Sequence, residues 1–391
     1  MDATIFLIML IPVAISLSLK FLRGWEISWL EFAAQFVIGA AVLSMIWAVG
    51  NMSKTGDREV WNGAVVSKDV NRFRCPTNTS NPCRNGYDCN CYEVCTPQYD
   101  AKGNVSGQSC TTHCDTCYRY PWEQDWYVRT SLGPFEISRV DAQGANEPGR
   151  WTSTKVGDPV SVTKPFKNWV KASAGTLFRD ADSGLETYAK ILPEYPIQIF
   201  DYYRIDRVVT PNVRLANKAL WNDEISRKLA ILGSVREINA VFVFVDGQPR
   251  DYAYALRRKW NGFKQNDAVI VVGLRQGKVE WTEVMSWSKK SLFNVQMKQA
   301  MDAYVGRNIT EVAPREVLTS FETIAMASFE RRPMKEFEYL KGDIKPPSWL
   351  IWISVILAVI IGGATSFLFN NIDLDESIFN RRSNRYNNRY Y

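Results

Sequence analysis

The sequence predicts an α+β membrane protein with three transmembrane helices, a cysteine-rich β domain and a further α/β domain, both domains lying on the outer side of the membrane. Three observations predict this organisation. Apolar runs without charge lie near both chain ends, all eight cysteines fall in one polar stretch, and helical and strand patterns alternate after residue 165. With 391 residues, 46% of them hydrophobic, the chain has enough apolar material for folded cores.

The three apolar runs are Ala3–Leu19, Phe32–Val49 and Trp349–Phe369, and none contains a charged residue. A helix rises about 1.5 Å per residue, so roughly 20 apolar residues cross a bilayer core of about 30 Å. We therefore predict two transmembrane helices joined by a short cytoplasmic loop in residues 1–50, and a third helix in residues 346–370.

The first run could instead be a cleaved signal peptide. Such a peptide has positive charge before its apolar stretch and small residues at the cleavage site after it. Here Asp2 precedes the run, and Lys20, Phe21 and Arg23 follow it. These flanking residues favour a retained membrane helix.

The orientation follows from Lys and Arg in the short flanking segments, because these residues are retained on the cytoplasmic side. Lys20 and Arg23 lie in the loop between the first two runs. The tail, residues 371–391, contains Arg381, Arg382, Arg385 and Arg389. Both segments predict that the loop and the basic tail are cytoplasmic and that residues 51–345 lie outside, which is the periplasm if the membrane is a bacterial inner membrane.

The segment between the membrane helices is predicted to form two domains, residues 51–165 and 166–340, because it has about twice the usual domain length. Short β-like runs precede residue 165 at Val60–Val66, Trp126–Thr130 and Phe135–Val140. After it, the pattern is a long helix, a strand, a helix, two strands and a helix. These elements are predicted at Val213–Ile238, Ala240–Val245, Tyr252–Trp260, Ala268–Leu274, Val279–Met285 and from about Leu292.

The eight cysteines are predicted to lie in a hairpin insertion, residues 75–117, within the β domain. An even number of cysteines in a polar stretch indicates covalent or metal cross-links, because such a stretch cannot build a hydrophobic core. Outside the cytoplasm disulfides are favoured, although spacing does not give their pairing. The cysteines are Cys75, Cys83, Cys89, Cys91, Cys95, Cys110, Cys114 and Cys117.

Zinc is the alternative cross-link. His113, Cys114 and Cys117 have the close spacing of a tetrahedral zinc site, as does the pair Cys89 and Cys91. The insertion lies between two strand-like segments, which predicts an exposed hairpin tip. Such a tip either contacts a partner or caps the β domain.

Few catalytic groups are present in the sequence. His113 is the only histidine, which disfavours Ser-His-Asp and Cys-His hydrolase schemes, and no Gly-rich phosphate loop ending in Lys-Ser or Lys-Thr occurs. The outer segment has no basic stripe, so nucleic-acid binding is not expected. Only Gln35 stands out as polar within the membrane runs, which favours anchors over a transport pathway.

Residues 213–300 resemble the TPM domain family. The similarity lies in the helix ending at Ile238, the strand AVFVFV, the helix with Tyr252, Leu256 and Trp260, and the segment Asn266–Val272, which is similar to the family's Asp-Asn-Gly-Val-Leu strand entry. The family consists of extracytoplasmic α/β modules tethered to a membrane. The resemblance therefore implies an extracytoplasmic α/β fold here.

Some TPM domains are described as phosphatases or bind divalent metal. In this sequence Asp267 matches one of their acidic residues, whereas Val284–Lys290 lacks the glycines and the acidic residue of their metal segment. The cysteine-rich insertion ending in CDTCY, together with a Trp-Asn-Gly-bearing β domain, is also similar to uncharacterised membrane proteins of tailed phages.

The sequence favours a membrane-anchored interaction or display protein without a cofactor, whose partners are the lipid bilayer and an envelope protein. The alternative is a metal-dependent phosphatase-like envelope enzyme centred on Asp246 and Asp267, two carboxylates near strand ends. The usual role of such residues is in turns and caps.

Thiol labelling of the denatured, unreduced protein, combined with a zinc assay on the same sample, distinguishes the two kinds of cross-link. We expect no free thiols and no zinc, because a cluster outside the cytoplasm is oxidised. Eight free thiols with bound zinc would place the cluster in a reducing compartment and reverse the predicted orientation.

Overall fold

The computed structural model describes residues 3–25, 27–75, 83, 86–99, 105–173, 185–200, 204–344 and 347–371. Only Asn371 of the predicted basic tail, residues 371–391, is among the described residues, and the rest of the tail lies outside them. The chain divides into two compact units. The helical unit comprises Met1–Asp57, Pro165–Arg179 and Met334–Tyr391, and the sheet unit comprises Arg58–Lys164 and Asp180–Pro333.

Helices and strands are interspersed along the described part of the chain. The helices are α1 (Ala3–Arg23), α2 (Trp29–Thr55), α3 (Gly149–Ser153), α4 (Trp169–Ala172), α5 (Leu185–Tyr188), α6 (Lys218–Arg236), α7 (Asp251–Lys259), α8 (Leu292–Asp302), α9 (Pro314–Ser328) and α10 (Ser348–Asn371), with a 3-10 helix at Met334–Asp343. The strands are β1 (Gly56–Arg74), β2 (Tyr87–Tyr99), β3 (Val105–Cys117), β4 (Trp122–Thr130), β5 (Gly133–Ile137), β6 (Pro159–Lys167), β7 (Val208–Val209), β8 (Asn239–Asp246), β9 (Asp267–Arg275) and β10 (Lys278–Ser286).

The helical unit contains the three apolar helices α1, α2 and α10, each long and apolar enough to cross a membrane. This confirms that the three predicted segments form helices with the length and apolarity needed to span a membrane. Ser28 begins α2 with a reciprocal cap, in which its hydroxyl accepts from the Glu31 amide and the Glu31 carboxylate accepts from the Ser28 amide. Ile8, Leu43 and Ala358, one from each helix, are buried in their common core.

A layer of polar side chains connects the three apolar helices. The Gln35 amide donates to Thr365 Oγ1 at 2.6 Å and to the Gly362 carbonyl at 3.3 Å. The Ser16 hydroxyl donates to Gln35 Oε1 at 2.6 Å and lies 2.5 Å from Ser366 Oγ. Hydrogen bonds of this kind align helices in an apolar environment, where nonspecific burial gives little selectivity between partners.

The first sheet of the sheet unit has the strand order β5-β4-β1-β6, and β4 runs antiparallel to both β1 and β5. Its core contains Val65, Val128 and Val160, together with Trp126, whose ring lies edge-on to Trp151 at 4.7 Å between centroids. The predicted β-like runs Val60–Val66 and Trp126–Thr130 lie in β1 and β4, whereas the run Phe135–Val140 extends three residues beyond the end of β5 at Ile137.

The second sheet has the order β10-β9-β8-β7, in which β7, β8 and β9 are parallel and β10 is antiparallel. Helices α6, α8 and α9 cover one face and α7 covers the other. Since β8 and β9 are covered on both faces, their sequences are continuous apolar runs. The predicted helix–strand order is confirmed, but α6 is shorter than expected. It ends where Glu237 adopts a left-handed conformation with φ 55°.

The two sheets belong to one compact unit, whereas the sequence predicts separate domains divided at 165. Gly233 of α6 lies directly against the backbone of Asn62 in β1, and a Cβ at Gly233 would overlap the Asn62 carbonyl. The Asn266 side chain donates to the Val60 carbonyl at 2.7 Å. These contacts join segments that are far apart in the sequence, so local composition does not indicate them.

The Gly233→Ala substitution is expected to destabilise the sheet unit. Its added methyl group collides with backbone, which has to move, and overpacking of this kind costs about 1–3 kcal/mol. The urea midpoint of the full chain in detergent, followed by tryptophan fluorescence, measures the loss. Gly149→Ala is the matched control because nothing lies within 4 Å of its Cβ position. Equal midpoints for the two variants would contradict the close contact.

Candidate functional site

Strands β2 and β3 form an antiparallel hairpin that is a separate two-stranded sheet between β1 and β4 in the chain. Three disulfides cross it, Cys89–Cys117, Cys91–Cys114 and Cys95–Cys110, and Cys75–Cys83 lies before it. The predicted disulfide insertion is therefore confirmed, and the structure supplies the pairing.

The disulfides replace a hydrophobic core in this hairpin, which we call the stapled hairpin (residues 87–117). Its described side chains are exposed or half-buried, with none buried. An isolated two-stranded hairpin is marginally stable in water, and cross-links restrict its unfolded state. The stapled hairpin is thus held rigid without using its side chains for packing.

One face of the stapled hairpin carries aromatic and apolar side chains. Tyr92 is 59% exposed and Val94 is 42% exposed. The Tyr92 ring stacks on His113 with 6.0 Å between centroids, and Val94 pairs with Thr111. Side chains alternate between the two faces along a strand. The Tyr92 face, which we define as Tyr92, Val94, Thr111 and His113, therefore lies on the side of the hairpin opposite to the disulfides Cys91–Cys114 and Cys95–Cys110.

The zinc alternative is not assembled in this structure. Cys114 and Cys117 belong to two different disulfides, so neither has a thiolate to give to a metal, and His113 stacks on Tyr92. Among the described residues, two groups bring potential metal-binding atoms together, and both include a disulfide pair. Those groups are Cys75, Cys83 and Glu123, and Glu93, Cys95 and Cys110.

The carboxylates of Asp246 and Asp267 lie at opposite ends of the second sheet. In the parallel pair β8 and β9, Asp267 is opposite Asn239 and Asp246 is opposite Leu274. The two positions are seven residue steps apart along the strands, which is about 23 Å. Because β8 and β9 are parallel, both begin at the same end of the sheet. The structure therefore does not bring Asp246 and Asp267 together into one metal site.

Asp267 is completely buried, and its carboxylate is held by three donors. Tyr195 Oη donates to Oδ1 at 2.8 Å, Asn239 Nδ2 donates to Oδ1 at 3.0 Å, and the Lys264 backbone N–H donates to Oδ2 at 2.9 Å. Burial raises the pKa of Asp267 to about 6, although the three hydrogen bonds favour the charged form. These contacts make Asp267 part of the internal framework.

A chain of amides links Asp267 to a buried arginine that no sequence motif indicates. Asn62 Nδ2 donates to Asn239 Oδ1 at 3.3 Å, and Arg207 Nη2 donates to Asn62 Oδ1 at 2.5 Å and to Ser161 Oγ at 2.7 Å. Burial lowers the pKa of Arg207 to about 10. We call Asp267, Asn239, Asn62, Ser161 and Arg207 the interface network. It connects the second sheet to β1 and β6.

Comparison with known proteins finds no matching family model, no matching curated protein and no matching solved structure. The TPM resemblance of residues 213–300 stays a prediction.

The buried Asp267 makes the stability of the sheet unit dependent on pH. Its pKa in the folded state, about 6, lies above the ordinary value of 3.8, so the folded state binds the proton more tightly. The stabilisation is fully present below about pH 4 and is lost as the pH rises through 6. The shift corresponds to at most about 3 kcal/mol.

Urea unfolding of the wild type and Asp267→Asn between pH 4 and 7 measures this contribution. We expect the wild type to lose stability relative to the variant as the pH rises. In Tyr195→Phe the Asp267 carboxylate loses one hydrogen-bond donor, which raises the pKa of Asp267 further. The decrease in stability should therefore extend to higher pH in this variant. Parallel pH profiles for the wild type and Asp267→Asn would exclude titration of Asp267 in this range.

Proposed function

We propose that this protein is a membrane-anchored interaction protein that displays the stapled hairpin, on a TPM-like α/β framework, to an envelope protein outside the cytoplasm. The exposed Tyr92 face carries the proposal. Aromatic side chains on a rigid support give large contact area while losing little conformational entropy on binding. Tyr92 and Val94 contribute no packing to a core, so their exposed side chains are available for contact with another molecule.

The orientation proposed for this function has residues 51–345 outside and the loop between α1 and α2 in the cytoplasm of a bacterial cell. Lys20 and Arg23 at the end of α1 support it, because positive residues are retained inside. The four disulfides support it as well, since they persist in oxidising compartments.

The phosphatase-like alternative has little geometric support. A metal-dependent phosphatase requires carboxylates that converge on one metal, whereas Asp246 and Asp267 lie at opposite ends of the strands β8 and β9. The Asp267 carboxylate is also buried among donors from its own chain. An interaction role agrees better with the position of the exposed and rigid groups.

Site-specific photo-crosslinking in intact cells tests the proposed function. A photoreactive phenylalanine analogue replaces Tyr92, and the same analogue replaces Val295 of α8 as the matched control, since Val295 is 62% exposed. We expect a discrete crosslinked adduct from position 92 and none from position 295.

A second variant separates the surface from its rigid support. Cys91→Ser with Cys114→Ser removes the disulfide beside Tyr92, and we expect it to reduce the adduct at least severalfold, because binding then has to order the strands. Adducts of equal yield and size from positions 92 and 295, or no adduct at position 92, would refute binding through the Tyr92 face.

A further inference from the structure

The helical unit contains a cavity of about 460 Å³ at the C-terminal end of α2. Three segments of the unit line it: the last turns of α2, the residues around α4, and the end of the 3-10 helix that precedes α10. The residues that give it its chemical character are Trp47, Asn51, Thr55, Lys167, Trp169 and Lys341.

Hydrogen bonds connect the segment around α4 to the end of α2 and the start of β1. The Asn168 backbone N–H donates to the Thr55 carbonyl at 2.7 Å, and the Asn168 side chain donates to Asp57 Oδ2 at 2.8 Å. Lys171 Nζ donates to the Gly56 carbonyl at 2.9 Å. These bonds fix the segment that carries Lys167 and Trp169, so the cavity is preformed.

The cavity lies at the end of α2, beyond the length of helix needed to cross a bilayer. Helix α2 has 27 residues and is about 40 Å long, which exceeds a hydrocarbon core of about 30 Å. Its last turns therefore leave the apolar region. Gly50 of α2 is in contact with Leu350 in the first turn of α10, so both membrane helices reach the boundary beside the cavity.

The lining combines positive charge with interfacial aromatic rings. Lys167 and Lys341 are both exposed, and Lys167 Nζ lies 5.9 Å from the centroid of the Trp169 ring. The described residues that line the cavity include no carboxylate. Tryptophan rings favour the headgroup level of a bilayer, and lysine attracts anionic headgroups there.

We propose that this cavity binds the phosphate headgroup of an anionic phospholipid from the leaflet that surrounds the C-terminal end of α2. Lys167 and Lys341 hold the phosphate, and Trp47 and Trp169 pack against the glycerol region. Exposed apolar side chains of α2, Val49 and Met52, provide the adjoining surface for an acyl chain. This lipid site is independent of the function proposed for the stapled hairpin.

Native mass spectrometry of the full chain in detergent micelles tests the proposal, with phosphatidylglycerol and phosphatidylcholine as probes. We expect phosphatidylglycerol to bind more tightly. Lys167→Ala and Lys341→Ala should each raise its Kd about fivefold and together about 30-fold, because each lysine near an anionic surface contributes about that factor. The double arginine variant keeps both charges and should stay within about threefold of the wild type.

Lys54→Ala is the matched control, because Lys54 lies in the last turn of α2 but does not line the cavity. Its Kd should change less than twofold. Equal losses in Lys54→Ala and Lys341→Ala, or equal binding of the two lipids, would show general interfacial attraction and overturn the site. Displacement of the lipid by inorganic phosphate at the same concentration would identify an aqueous anion site and overturn the lipid assignment.

Discussion

The sheet unit depends on the close contact between α6 and β1 and on the interface network behind it. Gly233 lets the helix reach the backbone of Asn62, whose side chain bonds both Arg207 and Asn239. Arg207 and Asp267 are both buried, and amides separate their charges. Breaking such a network leaves charged groups without partners in a medium of low dielectric constant. The intact network therefore favours one arrangement of the two sheets over others.

The helical unit uses the same principle with neutral groups. Gln35, Ser16, Thr365 and Ser366 satisfy one another between helices whose remaining surfaces are apolar. Lipid tails compete equally well for apolar surface, so polar contacts and small residues determine which helix faces meet. Gly362 is an example, because a Cβ there would lie 2.9 Å from the Pro12 Cα of α1. The capacity to span a membrane thus follows from length and apolarity, whereas alignment follows from a few polar atoms.

The stapled hairpin lies outside both networks. Its strands obtain rigidity from covalent bonds, so Tyr92 and Val94 are not needed for folding and remain exposed. Antiparallel pairing of β1 with β4 continues to Arg74, immediately before the insertion, and Trp122, five residues after Cys117. The framework and the proposed binding surface are therefore stabilised by different means, and a change in one need not disturb the other.

The sequence by itself determined the three long apolar helices, the cross-linked insertion and the order of helices and strands from β8 to α8, because each follows from a local pattern of apolar residues or cysteines. Only the tertiary structure decided the cysteine pairing, the burial of Arg207, the joining of the two sheets and the cavity near Lys167 and Lys341. It also separated Asp246 from Asp267. Both residues are near strand ends. A parallel crossover, however, returns the chain to the end of the sheet where the preceding strand began. The last residue of β8 and the first residue of β9 therefore lie a full strand length apart. These features depend on contacts between residues distant in the chain, and local sequence patterns do not encode which distant segments meet.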